Sequence, residues 1–263
     1  MDDAYHQITY GQVALAALLM LINGVISVAL KLGLEARMLI SAARMVVQLL
    51  LIGLVLNYVF ATNDWRLVIG LAAVMVVVAG AAAVNRNEHS YPGILRNSVI
   101  AVWASSWFVM AIALTLIIPI QPWYAPQYTV PLLGMILGNS LNGISLGLDR
   151  MGQELTSNRG QVETLLALGA TRWEAARGPI RKTVRTAMMP TLNTMTVAGI
   201  VSLPGMMTGQ ILSGVSPFEA VKYQIVIFFL IAASAALGTL LIALLTFQKL
   251  FNQRHQFLYD RLK

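Results

Sequence analysis

A few polar side chains lie inside long hydrophobic runs of this sequence, where a polar group is costly unless it meets water or another polar group. Arg44 and Gln48 are four residues apart, and Asn139 and Asn142 are three apart, so each pair shares one face of a helix. Asn193 lies in a later, more polar run. These side chains could line a hydrophilic path through a membrane. Alternatively, Arg44 could extend to the membrane interface, and the asparagines of the second pair could bond neighbouring helices across a packing contact.

A run of Pro204, Gly205, Met206 and Met207 follows Asn193 and predicts an interruption of the helix. Non-helical backbone at membrane depth survives only against protein or a water-lined cavity. The interruption is therefore either a loop at the membrane surface or a gate, in which Gly205 supplies unusual backbone angles and the methionines form an apolar seal. Thioethers suit Cu(I) better than iron, and packing is the usual role of methionine, so the sequence defines no metal site.

Sequence patterns of the common enzyme classes are missing. There is no G-x-x-x-x-G-K-[ST] loop to cradle a nucleotide phosphate and no H-E-x-x-H pair of metal-ligating histidines. The count of cysteines is 0, which excludes disulfides and thiolate metal sites. His6, His89 and His255 fall in three separate segments outside the hydrophobic runs. We therefore predict a protein that is not an enzyme and holds no cofactor of its own.

The elements that position these residues are hydrophobic helices. Hydrophobic residues make up 57% of the chain and charged residues 11%, whereas soluble domains carry about 25% charged residues. A membrane-spanning helix needs roughly 20 apolar residues. We predict an all-α, polytopic fold in one transmembrane domain, 1–263, with about seven spans near residues 11–30, 38–60, 66–84, 97–119, 129–148, 187–204 and 221–247.

The basic residues fix an orientation for these spans. Of the 18 Lys and Arg residues, all but Arg66 and Lys222 fall on one side of a seven-span arrangement. Cytoplasmic loops carry the excess of Lys and Arg, so the N-terminus is predicted outside and the C-terminus in the cytoplasm. The formal net charge is +7, but the basic residues are dispersed at span ends beside anionic headgroups, so nucleic-acid binding is not predicted.

The longest basic cytoplasmic segment, about 149–190, contains a predicted helix–turn–helix. Gly169 suits the left-handed residue that ends a short first helix, and Thr171 with Glu174 forms a capping box for a second helix. Apolar surface on a loop in water calls for a partner, although the helix could instead fold back on its own domain. The apolar residues that crowd near one face of the first helix are Val162, Leu165, Leu166 and Leu168.

This segment resembles the coupling loop of ABC transporter permeases, in which a Glu precedes a Gly as Glu163 precedes Gly169 here. The Glu-Ala-Ala string of that pattern occurs at 174–176 without a Gly at the same spacing, and the Ile-x-Leu-Pro box is absent from its expected place. The resemblance implies that the residues contacting an ATPase are Glu163, Leu165, Leu168, Gly169, Ala170, Thr171, Arg172 and Glu174.

The resemblance extends over nearly the whole chain. The strings at 131–139, 168–171, 200–207 and 220–224 resemble the FetB-type permeases, and Ser-Leu-Pro-Gly-Met-Met and Lys-Tyr-Gln are uncommon strings in matching order. That family consists of bacterial metal-homeostasis permeases implicated in iron export, with plant relatives linked to aluminium tolerance.

The resemblance implies a permease subunit in the inner membrane that exports iron or another metal ion or complex. Its partner would be a separate ABC ATPase chain that binds ATP and Mg²⁺, with two copies of each chain in the transporter. Two other functions stay open from the residues alone. One is a secondary transporter or channel that needs no ATPase, and the other is a membrane scaffold for an ATPase that transports nothing.

Overall fold

A computed structural model describes residues 8–87 and 89–262, and within these ranges the chain forms helices and no strand. His6 lies outside the described residues. A short π-helical turn, Ala113–Ile117, continues the fourth helix, and a 3₁₀ turn spans Tyr259–Arg261. The helices are α1 (Tyr10–Ala29), α2 (Glu35–Thr62), α3 (Trp65–Val84), α4 (Ile94–Ile112), α5 (Pro126–Ser157), α6 (Arg159–Ala167), α7 (Arg172–Val197), α8 (Gly205–Leu212) and α9 (Pro217–Leu250).

The predicted all-α membrane fold is confirmed, but the sixth predicted span, 187–204, is not a separate apolar helix. In the described ranges, 6 helices are long and apolar enough to cross a membrane: α1, α2, α3, α4 with its π-turn, α5 and α9. The span predicted at 187–204 instead begins inside α7 and runs past its end at Val197. Arg181, Lys182 and Arg185 share that helix with its apolar residues, which keeps its hydropathy low. The predicted interruption is present, because 198–204 is non-helical.

Helix α7 lies antiparallel to α5 and α9 and packs against both. At its first turn, the Trp173 ring meets Phe247 near the end of α9, with ring centroids 5.7 Å apart. Towards its other end, Thr194 lines a cavity together with Gln224, which lies near the start of α9. The polar helix α7 therefore runs along the bundle formed by α3, α4, α5 and α9, with one face on α5 and α9 and the rest of its surface exposed.

Small residues allow close contact between α5 and α9. A Cβ atom placed on Gly147 would lie 3.3 Å from Ile242 Cγ2, so α9 closely approaches α5 there. About two helical turns away, the hydroxyls of Ser140 and Ser234 are 2.6 Å apart and share a hydrogen bond in the buried core. Small side chains and interhelical hydroxyl bonds are typical of helix packing in membranes. The α5–α9 contact is thus the rigid centre of the bundle.

The same kind of contact between α3 and α4 leads to a prediction. A Cβ on Gly80 would lie 2.6 Å from Val99 Cγ2 and 2.8 Å from Val99 Cα, so backbone would have to move. We expect Gly80→Ala to lower the free energy of unfolding by about 1–3 kcal/mol. The measurement is denaturant-induced loss of helical circular dichroism in mixed micelles.

Gly70 provides the matched control, because it lies on the same helix and has nothing within 4 Å of an added Cβ. We expect Gly70→Ala to be neutral or to raise the free energy of unfolding by up to about 1 kcal/mol. Equal effects of the two substitutions would show that the α3–α4 contact is looser than the structure describes.

Helices α1 and α2 form a hairpin that is set apart from the bundle. Helix α1 packs chiefly against α2, and α2 has few contacts with α5. The hairpin is closed by Ser27, whose hydroxyl donates to Glu35 at 2.8 Å and accepts from the Leu34 backbone N–H at 3.0 Å. Nearly all other side chains of the hairpin are exposed, so this pair of helices offers most of its apolar surface to lipid or to another protein.

Candidate functional site

The predicted helix–turn–helix conformation is present between α6 and α7. Gly169 has φ of +91°, its N–H donates to the Leu166 carbonyl at 3.1 Å, and the Ala170 N–H donates to the Leu165 carbonyl at 3.0 Å. This pair of bonds is the Schellman arrangement, which satisfies the last carbonyls of a helix and needs a left-handed residue. We call residues 168–171 the α6–α7 turn.

The second helix begins with the predicted capping box. The Thr171 hydroxyl accepts from the Glu174 backbone N–H at 3.3 Å, and the Glu174 carboxylate accepts from the Thr171 backbone N–H at 2.7 Å. The backbone N–H and the hydroxyl of Thr171 both bond the carboxylate and lower the pKa of Glu174. The Schellman bonds and the capping box therefore satisfy several backbone groups of the two helix ends that flank the turn from within the turn itself.

The apolar residues of α6 divide into two sets, whereas the sequence had placed them on one face. Val162 is buried and Leu166 packs against the main core. Leu165 is at the border of exposure, and Leu168 is 81% exposed at the turn. The difference arises because Leu168 is the cap residue beyond the last helical turn, so it no longer follows the helical repeat. Only the turn itself thus offers an apolar tip.

One ion pair lies near the turn, on α6. Arg159 Nε lies 2.7 Å from Glu163 Oε1, one helical turn away on α6. The Arg159 guanidinium also lies over the Tyr259 ring, 4.0 Å from its centroid. The hydrogen bond to Glu163 is the main cause that raises the pKa of Arg159. Glu163, which the resemblance assigned to ATPase contact, is half-exposed and already engaged within the chain.

The segment after α9 packs beside the turn, a contact that sequence reasoning missed. The Arg172 backbone N–H donates to His255 Nδ1 at 2.9 Å. That N–H is one of the donors that the first turn of a helix leaves unpaired. Aromatic rings continue the contact from Trp173 along Phe247, Phe251, Phe257 and Tyr259, with neighbouring centroids 5.0–5.9 Å apart. Residues 251–262, the C-terminal segment, thus hold the start of α7.

A buried carboxylate joins α5 to α7 near the turn. Glu154, on α5, is 5% exposed and lies 2.5 Å from Arg150 Nη2 and 3.2 Å from Lys182 Nζ on α7. The Asn158 amide donates to the same carboxylate at 2.9 Å. Sequence reasoning missed this group because Glu154 lies beyond the predicted span 129–148. Arg150 and Glu154 are four residues apart, a spacing that is common for exposed ion pairs on helices. The sequence therefore did not show that Glu154 is buried among several donors.

Four of the predicted pathway residues line one cavity of about 430 Å³ between α5, α7, α8 and α9. They are Asn139, Pro204, Gly205 and Met206. Met207 lies instead in a neighbouring, mostly apolar cavity of about 520 Å³. The two cavities share Leu203, Pro204, Gln224 and Phe228, so the end of the non-helical segment 198–204 and one face of α9 lie between them.

The other predicted pathway residues lie elsewhere. Asn142 is exposed, and its Oδ1 accepts from Arg86 Nη1 at 3.0 Å, although the sequence had placed it with Asn139. The difference arises because residues three apart diverge by about 60° around a helix. Asn193 is exposed on α7, and Arg44 and Gln48 are exposed on α2, outside both cavities.

Gly205 is not the residue with unusual backbone angles in this segment. It starts α8, and its φ is outside the left-handed region. Gly199 occupies that region instead, with φ of +81°, where the chain leaves α7. The sequence had pointed to Gly205 because it follows Pro204, but a Pro-Gly pair here begins a helix rather than forming the turn.

Gln224 is a further cavity residue that sequence reasoning missed. It is 7% exposed, lines both cavities, and its Oε1 has no hydrogen-bond partner among the described residues. A buried amide oxygen without a partner is costly and calls for an explanation. The sequence did offer a sign of this residue, because Gln224 is a polar residue inside the predicted span 221–247 and belongs to the Lys-Tyr-Gln string.

Comparison with known proteins connects this arrangement to a family. Residues 10–251 match the uncharacterised protein family UPF0014. The chain belongs to the UPF0014 family. Among the relatives is the "Probable iron export permease protein FetB" of Escherichia coli, which is 34% identical over 258 residues, covering 98% of each chain. No solved structure matches the chain.

Other UPF0014 relatives come from distant organisms. The "UPF0014 membrane protein YjkA" of Bacillus subtilis is 34% identical over 94% of this chain and 97% of its own length. "Protein ALUMINUM SENSITIVE 3" of Arabidopsis thaliana is 29% identical over 92% of this chain and 88% of its own. The match spans the turn, the cavity and the α5–α9 contact, so all three features lie within the region shared with the UPF0014 family.

Proposed function

We propose that this chain is the membrane-spanning subunit of an ABC transporter, one permease domain driven by a separate ATPase chain that binds ATP and Mg²⁺. The observation that carries the proposal is the α6–α7 turn. Its backbone is fixed by Gly169 and the capping box, and Leu168 projects from it almost fully exposed. A rigid apolar tip beside basic side chains suits insertion into a groove on a water-soluble partner.

A second copy of the chain is the partner that we propose within the membrane. Arg44 and Gln48 are exposed on α2 at positions that an isolated copy would turn towards lipid. A charged side chain facing lipid is costly and normally meets another polar group or water. A second copy packed on the α1–α2 hairpin would cover these side chains and complete a path between the two copies.

Iron, or another metal as an ion or complex, is the cargo that we propose. Support comes from the printed name of the Escherichia coli relative, which states iron export, and from its coverage of 98% of each chain. Among the described residues, no group of three or more His, Cys, Asp or Glu side chains could hold a metal ion.

A charge placed at the tip of the turn tests the ATPase partnership. We expect Leu168→Asp to reduce co-purification with the ATPase chain by at least about tenfold, because the exposed leucine would be replaced by a hydrated charge at the contact. The measurement is the ratio of ATPase to permease after affinity purification, together with the ATPase rate of the complex.

Leu32→Asp is the matched control for this experiment. Leu32 is also exposed and lies in the short connection between α1 and α2, on the side predicted to face the cytoplasm. Co-purification should be normal for this variant. Normal assembly of the Leu168→Asp variant would contradict the assignment of the turn as the ATPase contact.

The orientation in the inner membrane is a separate prediction with its own test. We propose an external N-terminus and a cytoplasmic C-terminus, because the Lys and Arg residues gather on one side and α7, which runs antiparallel to α5 and α9, makes a seventh crossing. A cysteine placed at Trp123, which is exposed between α4 and α5, should react with an impermeant maleimide in intact cells. A cysteine at Arg254 should react only after permeabilisation. The reverse pattern would contradict the orientation, and the natural absence of cysteine removes background labelling.

A further inference from the structure

The cavity between α5, α7, α8 and α9 has a lining that is polar but uncharged. Amides and hydroxyls come from Asn139, Thr191, Thr194, Ser202 and Gln224, and the remaining residues are apolar. Its volume of about 430 Å³ lies in the range of small-molecule sites. No Asp, Glu, His, Lys or Arg is among the residues that line it.

Several of these polar groups have unused hydrogen-bonding capacity. Asn139 donates from Nδ2 to the Met135 carbonyl of its own helix at 2.9 Å, which leaves its Oδ1 without a partner within the described ranges. Gln224 Oε1 is buried and likewise unpartnered, and the Thr191 hydroxyl, on a partly buried residue, makes no hydrogen bond within the described part of the chain. Buried polar groups are nearly always hydrogen-bonded, so Gln224 Oε1 calls for a ligand that donates to it, and Asn139 Oδ1 lies on the same cavity as a second acceptor.

We propose that this cavity binds a ligand of no net charge that carries both hydrogen-bond donors and acceptors. If the cargo is a metal, as the proposed function has it, the cavity takes the metal as a neutral chelate and not as a bare hard cation. This inference rests on the proposed function only for the identity of the cargo, since the chemistry of the lining stands on its own.

The absence of charged residues from the lining favours a neutral chelate over a bare cation. Hard divalent cations take carboxylates, carbonyls and water as ligands, usually with one or more negative charges. A bare cation in this cavity would leave its charge uncompensated in surroundings that are largely apolar. A chelate meets both requirements, because its own ligands neutralise the metal and present oxygen and N–H groups to the amides and hydroxyls.

Gln224 lies where a ligand in this cavity would meet the apolar cavity beside it. The end of the non-helical segment 198–204 and one face of α9 lie between the two cavities, and Gln224 lines both. Gly199, at φ of +81°, and Pro204 lie near the two ends of that segment. A ligand bonded to Gln224 therefore lies directly against the non-helical segment through which the second cavity would be reached.

Binding to the permease alone, in lipid nanodiscs without the ATPase, tests the inference. The probes are tris(acetohydroxamato)iron(III), which is neutral and has N–H donors, and the aqueous Fe²⁺ ion under anaerobic conditions. Free acetohydroxamic acid is the control for the chelator. We expect saturable calorimetric binding of the chelate and none of Fe²⁺ at the same concentrations. Binding of Fe²⁺ alone, or of neither probe, would overturn the inference.

Two substitutions place the binding in the cavity. Gln224→Leu and Asn139→Leu each remove one amide at nearly constant volume, and each should weaken chelate binding roughly fivefold to tenfold. Asn193→Leu is the matched control, since that asparagine is exposed on α7 outside the cavity. Unchanged binding in both cavity variants would overturn the site.

A variant that gains Fe²⁺ binding shows that weaker chelate binding does not result from loss of folding. Asn139→Asp keeps the shape of the side chain and adds the missing negative charge, so it should create measurable Fe²⁺ binding and weaken chelate binding. Failure to gain Fe²⁺ binding in a monodisperse variant would overturn the charge argument. Because no ATPase is present, these results do not depend on whether the ATPase partnership holds.

Discussion

Replacing Gly169 with proline should abolish ATP-driven transport while the membrane helices stay folded. Proline fixes φ near −65°, whereas Gly169 has φ of +91°. Proline also removes the N–H that donates to the Leu166 carbonyl at 3.1 Å. The α6–α7 turn then cannot form, and Leu168 no longer projects in a fixed direction. The measurement is transport and ATPase activity of the reconstituted complex, with circular dichroism as the check on folding.

Two alanine variants separate this effect from general damage. Gly169→Ala fits the available space but must adopt the left-handed conformation, which costs roughly 1–2 kcal/mol, so partial loss of coupling is expected. Gly160→Ala lies within α6, has open space and no positive φ, and should leave transport unchanged. Full transport by the Gly169→Pro variant in a normally assembled complex would refute a coupling role for the turn.

Loss of the buried carboxylate on α5 should have the second largest effect. We expect Glu154→Leu to lower the free energy of unfolding by about 1–3 kcal/mol, because the carboxylate satisfies donors on both α5 and α7. Lys182→Ala should cost less than about 1 kcal/mol, since Lys182 is 61% exposed and water screens its charge. Denaturant titration of the purified permease measures both.

The transport readout shows whether this ion cluster does more than stabilise. If Glu154 fixes α7 to α5, its replacement should lower transport per folded molecule, and the exchange Glu154→Lys with Lys182→Glu should restore part of it. Transport that falls only in proportion to folded protein would limit the cluster to a structural role. Additive effects of the two single substitutions in the exchanged variant would mean that the two side chains do not interact.

Features set by neighbours in the chain could be predicted from sequence. The Gly169 turn and the Thr171 capping box each depend on residues within one helical turn, and both are present. The apolar helices follow from composition because a bilayer imposes a minimum length. The span at 187–204 was predicted wrongly as a separate helix, since its apolar residues continue a basic helix that began at Arg172.

Features that join distant segments could not be predicted in this way. The pairing of Glu154 with Lys182 requires α5 and α7 to lie side by side, and a single sequence does not show which helices are neighbours. The same holds for Gln224, which is notable only because its oxygen is buried without a partner among the described residues. From helical spacing alone, Asn142 was predicted to lie beside Asn139. In the structure Asn142 instead bonds to Arg86, a residue that is distant in the sequence.

The C-terminal segment has a consequence for how the protein is made. His255 accepts from the first N–H of α7, and Phe251 and Phe257 extend the ring contacts of Trp173. In synthesis from the N-terminus, these residues emerge only after α9, long after the α6–α7 turn has left the ribosome. Until translation has passed Phe257, the start of α7 therefore has its local capping box but lacks its contacts with the C-terminal segment. A nascent chain that stalls in α9 carries its membrane helices but has no finished surface at the turn, so premature assembly with a partner is disfavoured by the order of the chain itself.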